Sequence, residues 1–477
     1  MIVKQPINRR MAMDAEIGFY RDLVGMGYPE QILQIEPRGS SRIEGYQPDI
    51  VALAPGLSTD PLAAFDVRFG SIDERLKWLA PKAREFCKVN DGCAFYVIAH
   101  RPLLKSVYCY DRKTRNFRQV RSFPRYEVLV SEWLDRVSHV SGLRLSNVTV
   151  FKSAAFGFVR GLNVLIGENG FGKSTLLKVI YSQAKYASEY SRRVASGQEA
   201  AGPNIESVFG LPASSLVTRG CRRPALIKTH FLGRTRGFSE LMISNSGMRL
   251  QSYPPTRNAI PAVVFLQSHE VLSSYHGYSA LWNRYAENMS RDGTIIDTVN
   301  LLGLPALRSL PKALQDVCAS LERSIGGRIE IDEKEGRFYF IDGRNASVRT
   351  AIDMTAEGWR KIGQLLILLR NGAVAPGSIL IWDEPEANLN PRLEKVVAAL
   401  LIGLVRAGIQ VFVATHSLFL ANELDIHLRK TSLENGARFI NLRKGKSAMT
   451  GASLSEVDDI ALIEESMEQS DRFLELD

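Results

Sequence analysis

The stretch GLNVLIGENGFGKSTLLKVI, residues 161–180, decides the fold. Residues 163–166 form a short apolar run typical of a buried strand, and residues 176–180 have the apolar spacing of a helix. Between them, Gly167 to Ser174 match the pattern G-x-x-x-x-G-K-[ST] without a mismatch. In this context the glycines turn backbone N–H groups inward, and the helix begins with its positive end there. The stretch therefore predicts a loop that binds the phosphates of a nucleotide.

Each polar position of this loop has an expected role. Lys173 is expected to reach the β- and γ-phosphates of ATP, and Ser174 to hold Mg²⁺. The residues predicted to surround the nucleotide are Gly167, Asn169, Gly170, Gly172, Lys173, Ser174 and Thr175.

Two further segments carry polar residues at the ends of apolar runs. GSILIWDEPEANLNP, residues 377–391, predicts a buried strand that ends in Asp383 and Glu384. We assign Asp383 to the metal and Glu384 to the attacking water. GIQVFVATHSLFL, residues 408–420, predicts another buried strand, and its His416 is expected to sense the γ-phosphate and position the water.

The bulk properties are those of a cytoplasmic globular protein. The chain has 477 residues, enough for two or three domains, and no run of 18 apolar residues, so we expect neither secretion nor a membrane partner. Its five scattered cysteines fit reduced thiols. The net charge of +9 suits an anionic partner, and six basic residues without an acid occur both in 112–125 and in 207–239. These runs are either solvated faces or phosphate-contacting surfaces.

The order of these motifs resembles the ABC-type heads of the structural-maintenance (SMC) and DNA-repair ATPases. More closely it resembles the compact OLD-like and related AAA-family ATPases of bacterial anti-phage and toxin–antitoxin loci. The resemblance rests on residues 143–180, 354–391 and 408–420 and covers about residues 143–440. It implies an α/β fold, an ABC-type P-loop NTPase head that uses ATP and Mg²⁺. It also implies a homodimer, or a higher oligomer, in which two heads enclose two ATP molecules.

The same resemblance implies three more site segments. Residues 355–358, Thr-Ala-Glu-Gly, occupy the place of the signature loop that caps the γ-phosphate bound to the other subunit. Ala356 replaces the usual serine there, so Gly358 and the following helix must serve. Asn388 lies in the loop that crosses to the partner site, and Gln267 is the implied Mg²⁺-sensing residue, with Glu270 as the alternative.

The sequence predicts three regions: residues 1–140, a head over residues 141–440, and a helical tail over residues 441–477. Residues 181–350 form an insert with helical patterns and a hairpin-like pair, and no sustained heptads that would predict a long coiled-coil arm. We therefore expect a compact helical lobe.

The N-terminal region resembles the PD-(D/E)xK restriction-endonuclease-like superfamily, notably the N-terminal domains of type I restriction motor subunits. The resemblance rests on an expected order of helix, two strands, helix and strand. Asp49 follows a proline, and Asp66 precedes Arg68 by two residues. Asp49 and Asp66 would hold a metal with Glu16 as an outer ligand. Arg68 replaces the usual lysine and cannot act as a base, although Lys77 could supply the ammonium if it points inward.

Three interpretations of this region stay open: an active nuclease, an inactive recognition domain, and an unrelated α/β domain. For the whole chain we expect an ATPase of bacterial defence that gates a nuclease-like domain acting on nucleic acid. The alternatives are a non-cutting sensor that restrains or activates a separately encoded toxin or effector, and a repair ATPase that holds DNA ends.

Overall fold

The computed structural model describes residues 19–24, 26, 28–29, 33–35, 48–55, 61–69, 73–90, 92–101, 104–195, 198–199, 202–233, 236–254, 260–278, 292–332, 335–433 and 436–474. The chain divides into two compact units, residues 1–136 with 307–311, and residues 137–306 with 312–477.

The N-terminal unit is built on a six-stranded sheet in the order β1-β2-β3-β4-β5-β6. The strands are β1 (Leu33–Ile35), β2 (Ile50–Leu53), β3 (Pro61–Phe69), β4 (Ala94–Arg101), β5 (Leu104–Asp111) and β6 (Asn116–Val120). Helix α1 (Asp73–Val89) joins β3 to β4, which makes this pair parallel, whereas the other pairs are antiparallel. Helix α2 (Tyr126–Leu134) follows β6.

An aromatic cluster fixes the middle of this sheet. Phe65 on β3 is fully buried, and its ring lies 5.5–6.0 Å from those of Phe19, Tyr28, Tyr96 and Phe123. The ring of Tyr96 is stacked on Phe65 and the other three meet it edge to face, and such contacts add to the stabilisation from buried aromatic area. They hold β3, and therefore Asp66, in a rigid setting.

The second unit contains a six-stranded sheet that carries the phosphate-binding loop. Its order is β13-β17-β18-β9-β19-β20, and only β19 and β20 pair antiparallel. The strands are β9 (Leu162–Ile166), β13 (Val263–Leu266), β17 (Ile379–Asp383), β18 (Gln410–Ala414), β19 (Ala437–Asn441) and β20 (Met449–Gly451). Parallel strands end at the same edge, so the residues that follow β9, β17 and β18 meet there.

A five-stranded antiparallel sheet accompanies it, in the order β12-β11-β10-β7-β8. Its strands are β7 (His139–Val148), β8 (Phe151–Gly157), β10 (Ala225–Leu232), β11 (Arg236–Ser244) and β12 (Gly247–Ser252). Along β10, buried and half-buried residues alternate, which is the period-two pattern of a sheet with one face on the core.

The region expected to be an insert is helical only in part. Strands β10, β11 and β12 belong to the antiparallel sheet, and β13 belongs to the parallel sheet, so the helical lobe is smaller than residues 181–350. The remainder contains the expected hairpin of β14 (Gly327–Asp332) and β15 (Arg337–Asp342), with β16 (Arg349–Ala351) beside it.

The helices of the second unit are α3 (Lys173–Ala195), α4 (Ile205–Phe209), α5 (Gly293–Leu302), α6 (Lys312–Ile325), α7 (Glu357–Arg370), α8 (Pro391–Arg406), α9 (Leu418–Thr431) and α10 (Ala461–Leu474). Of the tail predicted to be helical over residues 441–477, α10 is the only α-helix among the described residues, since β20 also lies there, and α10 buries none of its residues. No helix among the described residues combines the length and hydropathy needed to cross a membrane.

Candidate nucleotide-binding site

The loop between β9 and α3 has the backbone that the motif predicts. Gly167, Gly170 and Gly172 all have positive φ, at 144°, 80° and 92°. At Gly172 a side chain would also lack space, because an added Cβ would lie 2.7 Å from Cγ2 of Val150. These positions require glycine because left-handed backbone is costly for other residues.

Lys173 is held inside this loop. Its Nζ donates to the carbonyls of Gly167, at 2.6 Å, and Glu168, at 3.0 Å, and the side chain is buried. Burial lowers the pKa of Lys173 to about 8, and the nearby carboxylates of Glu384 and Asp383 oppose that shift. The ammonium thus lies among acids at the mouth of the loop.

Asp383 and Ser174 form a pair that fits Mg²⁺. Burial raises the pKa of Asp383, and its hydrogen bond from Ser174 acts in the opposite direction. Oδ1 of Asp383 is shielded from solvent and has no hydrogen-bond partner among the described residues. Carboxylate and hydroxyl oxygens are the ligands that Mg²⁺ prefers, so Ser174 and Asp383 would hold it, and Mg²⁺ would neutralise phosphate charge.

Glu384 and His416 face each other at the same sheet edge. Nε2 of His416 lies 3.5 Å from Oε1 of Glu384. Glu384 has a left-handed backbone, with φ of 46°, and donates its N–H to the carbonyl of Ala414 on β18. Burial, and then the charge of Lys173, lowers the pKa of His416. A neutral imidazole beside a carboxylate is suited to orienting a water molecule.

Glu386 is a site residue that the sequence analysis missed. Its Oε1 accepts hydrogen bonds from Oγ1 of Thr415, at 2.8 Å, and from the backbone N–H groups of His416 and Ser417, at 2.7 and 3.2 Å. These bonds tie the loop after β17 to the loop after β18. The available signal was the third acid of the segment Asp-Glu-Pro-Glu.

Lys361 on α7 was also missed. It is 3% exposed, and its Nζ donates to the carbonyls of Glu384, at 2.8 Å, and Ala387, at 3.1 Å. Burial lowers the pKa of Lys361 to about 8, against the charges of four acids. A lysine on the apolar face of a predicted helix was the signal for this contact.

The signature segment leads into the N-terminus of α7. Ala356 is the residue before the helix, and no side chain caps the helix there. Nδ2 of Asn388 donates to Oε1 of Glu357 at 2.8 Å, which joins the crossing loop to the signature segment of the same chain. Gly358 is packed so closely that an added Cβ would lie 2.9 Å from Cδ2 of Leu389.

Gln267 and Glu270, the two candidates for the Mg²⁺-sensing position, differ in the partners of their side chains. Glu270 is 4% exposed in its side chain and forms an ion pair with Arg360, at 2.7 Å. Gln267 follows β13, and its Nε2 donates to Oγ1 of Thr294 at 2.9 Å, while its Oε1 is buried and unpaired within the described chain. Gln267 therefore keeps a free acceptor, whereas Glu270 is engaged.

In the N-terminal unit, two of the predicted acids are described. Asp49 lies just before β2, and its Oδ2 accepts the N–H of Val67 at 2.7 Å, so it reaches the strand that carries Asp66. Asp66 is fully buried. Lys77 is exposed on α1, so the condition that it points inward is not met. Glu16 and the side chain of Arg68 lie outside the described residues, within which no group of three potential metal ligands occurs.

The first basic run is an exposed hairpin. All six of its basic residues are exposed: Arg112, Lys113, Arg115, Arg118, Arg121 and Arg125. Burial raises the pKa of Tyr110 on β5, and the charges of Arg84, Arg115 and Arg112 each act against that shift. Arg84, which belongs to α1, therefore lies near the hairpin. In the second run, Arg219, Arg222, Arg223 and Arg236 are exposed, Lys228 pairs with Glu240 at 3.2 Å, and Arg234 lies outside the described residues.

Comparisons with known proteins found a match to one family profile and to several solved structures. The family profile described as "AAA domain, putative AbiEii toxin, Type IV TA system" matches residues 300–422. No curated protein matches the chain.

Among solved structures, an Smc head bound to the C-terminal winged-helix domain of ScpA is 15% identical to this chain. The match covers 66% of this chain and 98% of the Smc head, with a TM-score of 0.42. The Smc head of Pyrococcus furiosus is 13% identical, with coverages of 71% and 100% and a TM-score of 0.40. The SMC head of Thermotoga maritima is 12% identical, with coverages of 65% and 98% and a TM-score of 0.35.

The class of the protein follows from its own geometry. One parallel sheet carries the phosphate-binding loop after β9, the acid pair at the end of β17 and the histidine after β18, with an antiparallel sheet beside it. This arrangement is the P-loop NTPase fold of the ABC and SMC head type, and it has the residues for binding ATP with Mg²⁺.

Proposed function

We propose that this protein is a dimeric ATPase of bacterial defence that gates its N-terminal unit, which acts on nucleic acid. The observation that carries the ATPase is the pair of Glu384 and His416, 3.5 Å apart at the sheet edge that also holds Lys173. In this proposal Glu384 takes a proton from the attacking water, and His416 orients that water. Lys173 stabilises charge on the β- and γ-phosphates.

The defence role is supported by the family profile, whose printed description names a toxin of a type IV toxin–antitoxin system. Action on nucleic acid is supported by the exposed basic hairpin, since Lys and Arg neutralise backbone phosphates. The contact of Asp49 with the strand of Asp66 supports a metal-dependent nuclease site in the same unit. Glu16 would complete its ligand set.

A second candidate is a non-cutting sensor that restrains or activates a separate toxin or nuclease. It is favoured by Arg68, because a guanidinium stays charged and cannot act as a base, and by the exposure of Lys77. In this case the N-terminal unit would recognise a trigger without cleaving it.

One assay separates the two. The purified protein would be incubated with plasmid, linear DNA and RNA, with Mg²⁺ or Mn²⁺ and with or without ATP, beside Asp66→Ala and Lys173→Ala. Cleavage that Asp66→Ala abolishes and Lys173→Ala alters supports the gated nuclease. If ATP is hydrolysed and no substrate is cut, the sensor is the better account. If Lys173→Ala hydrolyses ATP at the wild-type rate, the ATPase proposal itself fails.

A further inference from the structure

The outer face of the five-stranded antiparallel sheet contains a second concave site. It is a cavity of about 500 Å³ on strands β7, β8, β10 and β11, and its lining includes Gly142, Gly157, Arg144, His230 and Arg236. The turn of the β7–β8 hairpin contacts the phosphate-binding loop through Val150. Gly142 lies eight residues before Val150, or about 25 Å along the strand, so this cavity is separate from the nucleotide site.

Strand register explains the shape of the cavity. Gly142 pairs with both Gly157 and His230, so two residues without side chains lie next to the imidazole in one row across the sheet. A β-bulge interrupts the pairing of β7 with β10 at His230, and Oγ of Ser141 donates to the carbonyl of His230 at 3.2 Å. Glycines and a bulge on neighbouring strands open a depression in a surface that side chains would otherwise cover.

Two arginines flank this depression from opposite sides. Arg144 lies opposite Lys228, and Arg236 lies opposite Leu232, each two residues along β10 from His230. Each is therefore about 7 Å along the strand from the histidine, a distance that an arginine side chain can span. Both are exposed, and the described lining residues include no acid.

The histidine in the middle has unused hydrogen-bonding capacity. Nε2 of His230 is shielded from solvent and has no hydrogen-bond partner within the described part of the chain. Burial, and then the charges of Arg144 and Lys228, lowers the pKa of His230. An anionic oxygen beside the ring would supply the missing partner and offset the positive charge around it.

We propose that this cavity binds a phosphate group, with Arg144 and Arg236 as its charged ligands and His230 as a hydrogen-bonding wall. Two arginines around a cavity without acids match the planar, multidentate recognition that arginine gives to phosphate. The phosphate can belong to a mononucleotide or to a polynucleotide backbone. The proposal does not depend on the ATPase cycle or on cleavage by the N-terminal unit.

The test measures phosphate binding to the full chain in a Lys173→Ala background without ATP, so that the phosphate-binding loop contributes little and no added nucleotide competes for the cavity. One arm uses a fluorescein-labelled single-stranded dT oligonucleotide in an Arg118→Glu/Arg121→Glu background, which suppresses binding by the basic hairpin. The other arm titrates AMP and inorganic pyrophosphate by calorimetry. Arg144→Ala and Arg236→Ala are each expected to weaken binding about tenfold. Arg249→Ala, an exposed arginine on edge strand β12 of the same sheet, is the matched control and should change it less than about twofold.

A second variant keeps both charges and fills the space. A Cβ at Gly157 would first meet Nη1 of Arg438, at 2.9 Å, the movable end of a side chain, so Gly157→Leu is expected to fold and to block the cavity. If the variants weaken only the binding of the oligonucleotide, the bound phosphate belongs to a polynucleotide backbone. If they weaken the binding of AMP or pyrophosphate, the ligand is a free phosphate compound. The proposal is overturned if neither arm responds to these variants, or if Arg249→Ala weakens binding as much as Arg144→Ala.

Discussion

At the scale of single residues, the proposed hydrolysis of ATP depends on Glu384. Its backbone is left-handed, and Lys361 and the Ala414 carbonyl hold it from two sides, so its carboxylate is fixed beside His416. Glu384→Gln keeps the shape and removes the base. We expect this variant to bind ATP normally and to hydrolyse it about 10²–10³-fold more slowly.

The measurement is steady-state phosphate release together with ATP affinity. Lys173→Ala is the contrasting variant, because it should lose affinity as well as rate. If Glu384→Gln retains near-wild-type turnover, the water is activated elsewhere in the site.

Lys173 should give the proposed ATP binding a defined pH dependence. Burial lowers its pKa to about 8, and the negative charge of bound phosphates should raise that pKa again. ATP affinity should therefore fall above about pH 8, approaching tenfold per pH unit, because binding must then take up a proton. Without ATP, the pH dependence of folding stability has the opposite sign to that of ATP affinity. Above about pH 8 the unfolded chain binds more protons than the native one, so the free energy of unfolding rises with pH there.

Calorimetry of ATP binding across this pH range checks the expectation. Lys173→Arg, which stays charged, should abolish the slope. Lys361→Met should preserve it, although the pKa of Lys361 is also about 8, because its Nζ contacts the carbonyls of Glu384 and Ala387 and lies outside the phosphate-binding loop. A slope that survives Lys173→Arg would assign the proton to another group.

At the scale of the elements, helix α7 begins without a cap. Ala356 has the extended backbone of an N-cap residue and is exposed, but it has no oxygen to accept an N–H of the first turn. Ala356→Ser should stabilise the protein by about 1 kcal/mol. If the proposed dimer is correct, it should also tighten ATP-dependent association of Glu384→Gln chains, by adding a donor for the partner's γ-phosphate. Thermal unfolding and analytical ultracentrifugation measure the two effects, and Ala356→Val, which adds no hydroxyl and is as poor an N-cap residue as alanine, is the control.

The β5–β6 hairpin provides the second prediction at this scale. Replacing two exposed arginines, as in Arg118→Glu/Arg121→Glu, should weaken nucleic-acid binding. In a plot of the logarithm of the binding constant against the logarithm of the salt concentration, the magnitude of the slope should fall by about two. Fluorescence anisotropy between low and moderate salt gives that slope. Arg249→Glu in the other unit is the control, and an unchanged slope would remove the hairpin from the interface.

How far the elements could be predicted depended on how local their signals were. The loop at Gly167–Ser174 and the strand ends at Asp383 and His416 were predictable, because each is a short pattern next to a buried strand. Lys361 and Glu386 were not, because their partners, most of them backbone groups, belong to other segments 23–31 residues away. The strands at 225–252 were missed although β10 alternates visibly, since the nearby helical patterns were extended over the whole insert.

At the scale of the whole molecule, the proposed dimer requires a signature segment that a second chain can reach. The signature segment is joined to the crossing loop of its own chain through the bond of Asn388 to Glu357. Ala356 and its neighbour Met354, which is 83% exposed, remain at the surface. Both residues are therefore accessible to the second chain of the proposed dimer.

Complementation between two inactive chains tests that arrangement most directly. Lys173→Ala removes the phosphate-binding lysine, and Ala356→Glu places an acid where the partner's γ-phosphate would lie, at an exposed position that should not disturb folding. Each variant alone should be inactive. In a mixed dimer, one site combines the intact loop of one chain with the intact signature of the other, so an equal mixture should recover about a quarter of the wild-type rate. That recovery should depend on protein concentration. If Ala356→Glu alone is fully active, or if mixing restores nothing at any concentration, each head works without the signature of a partner.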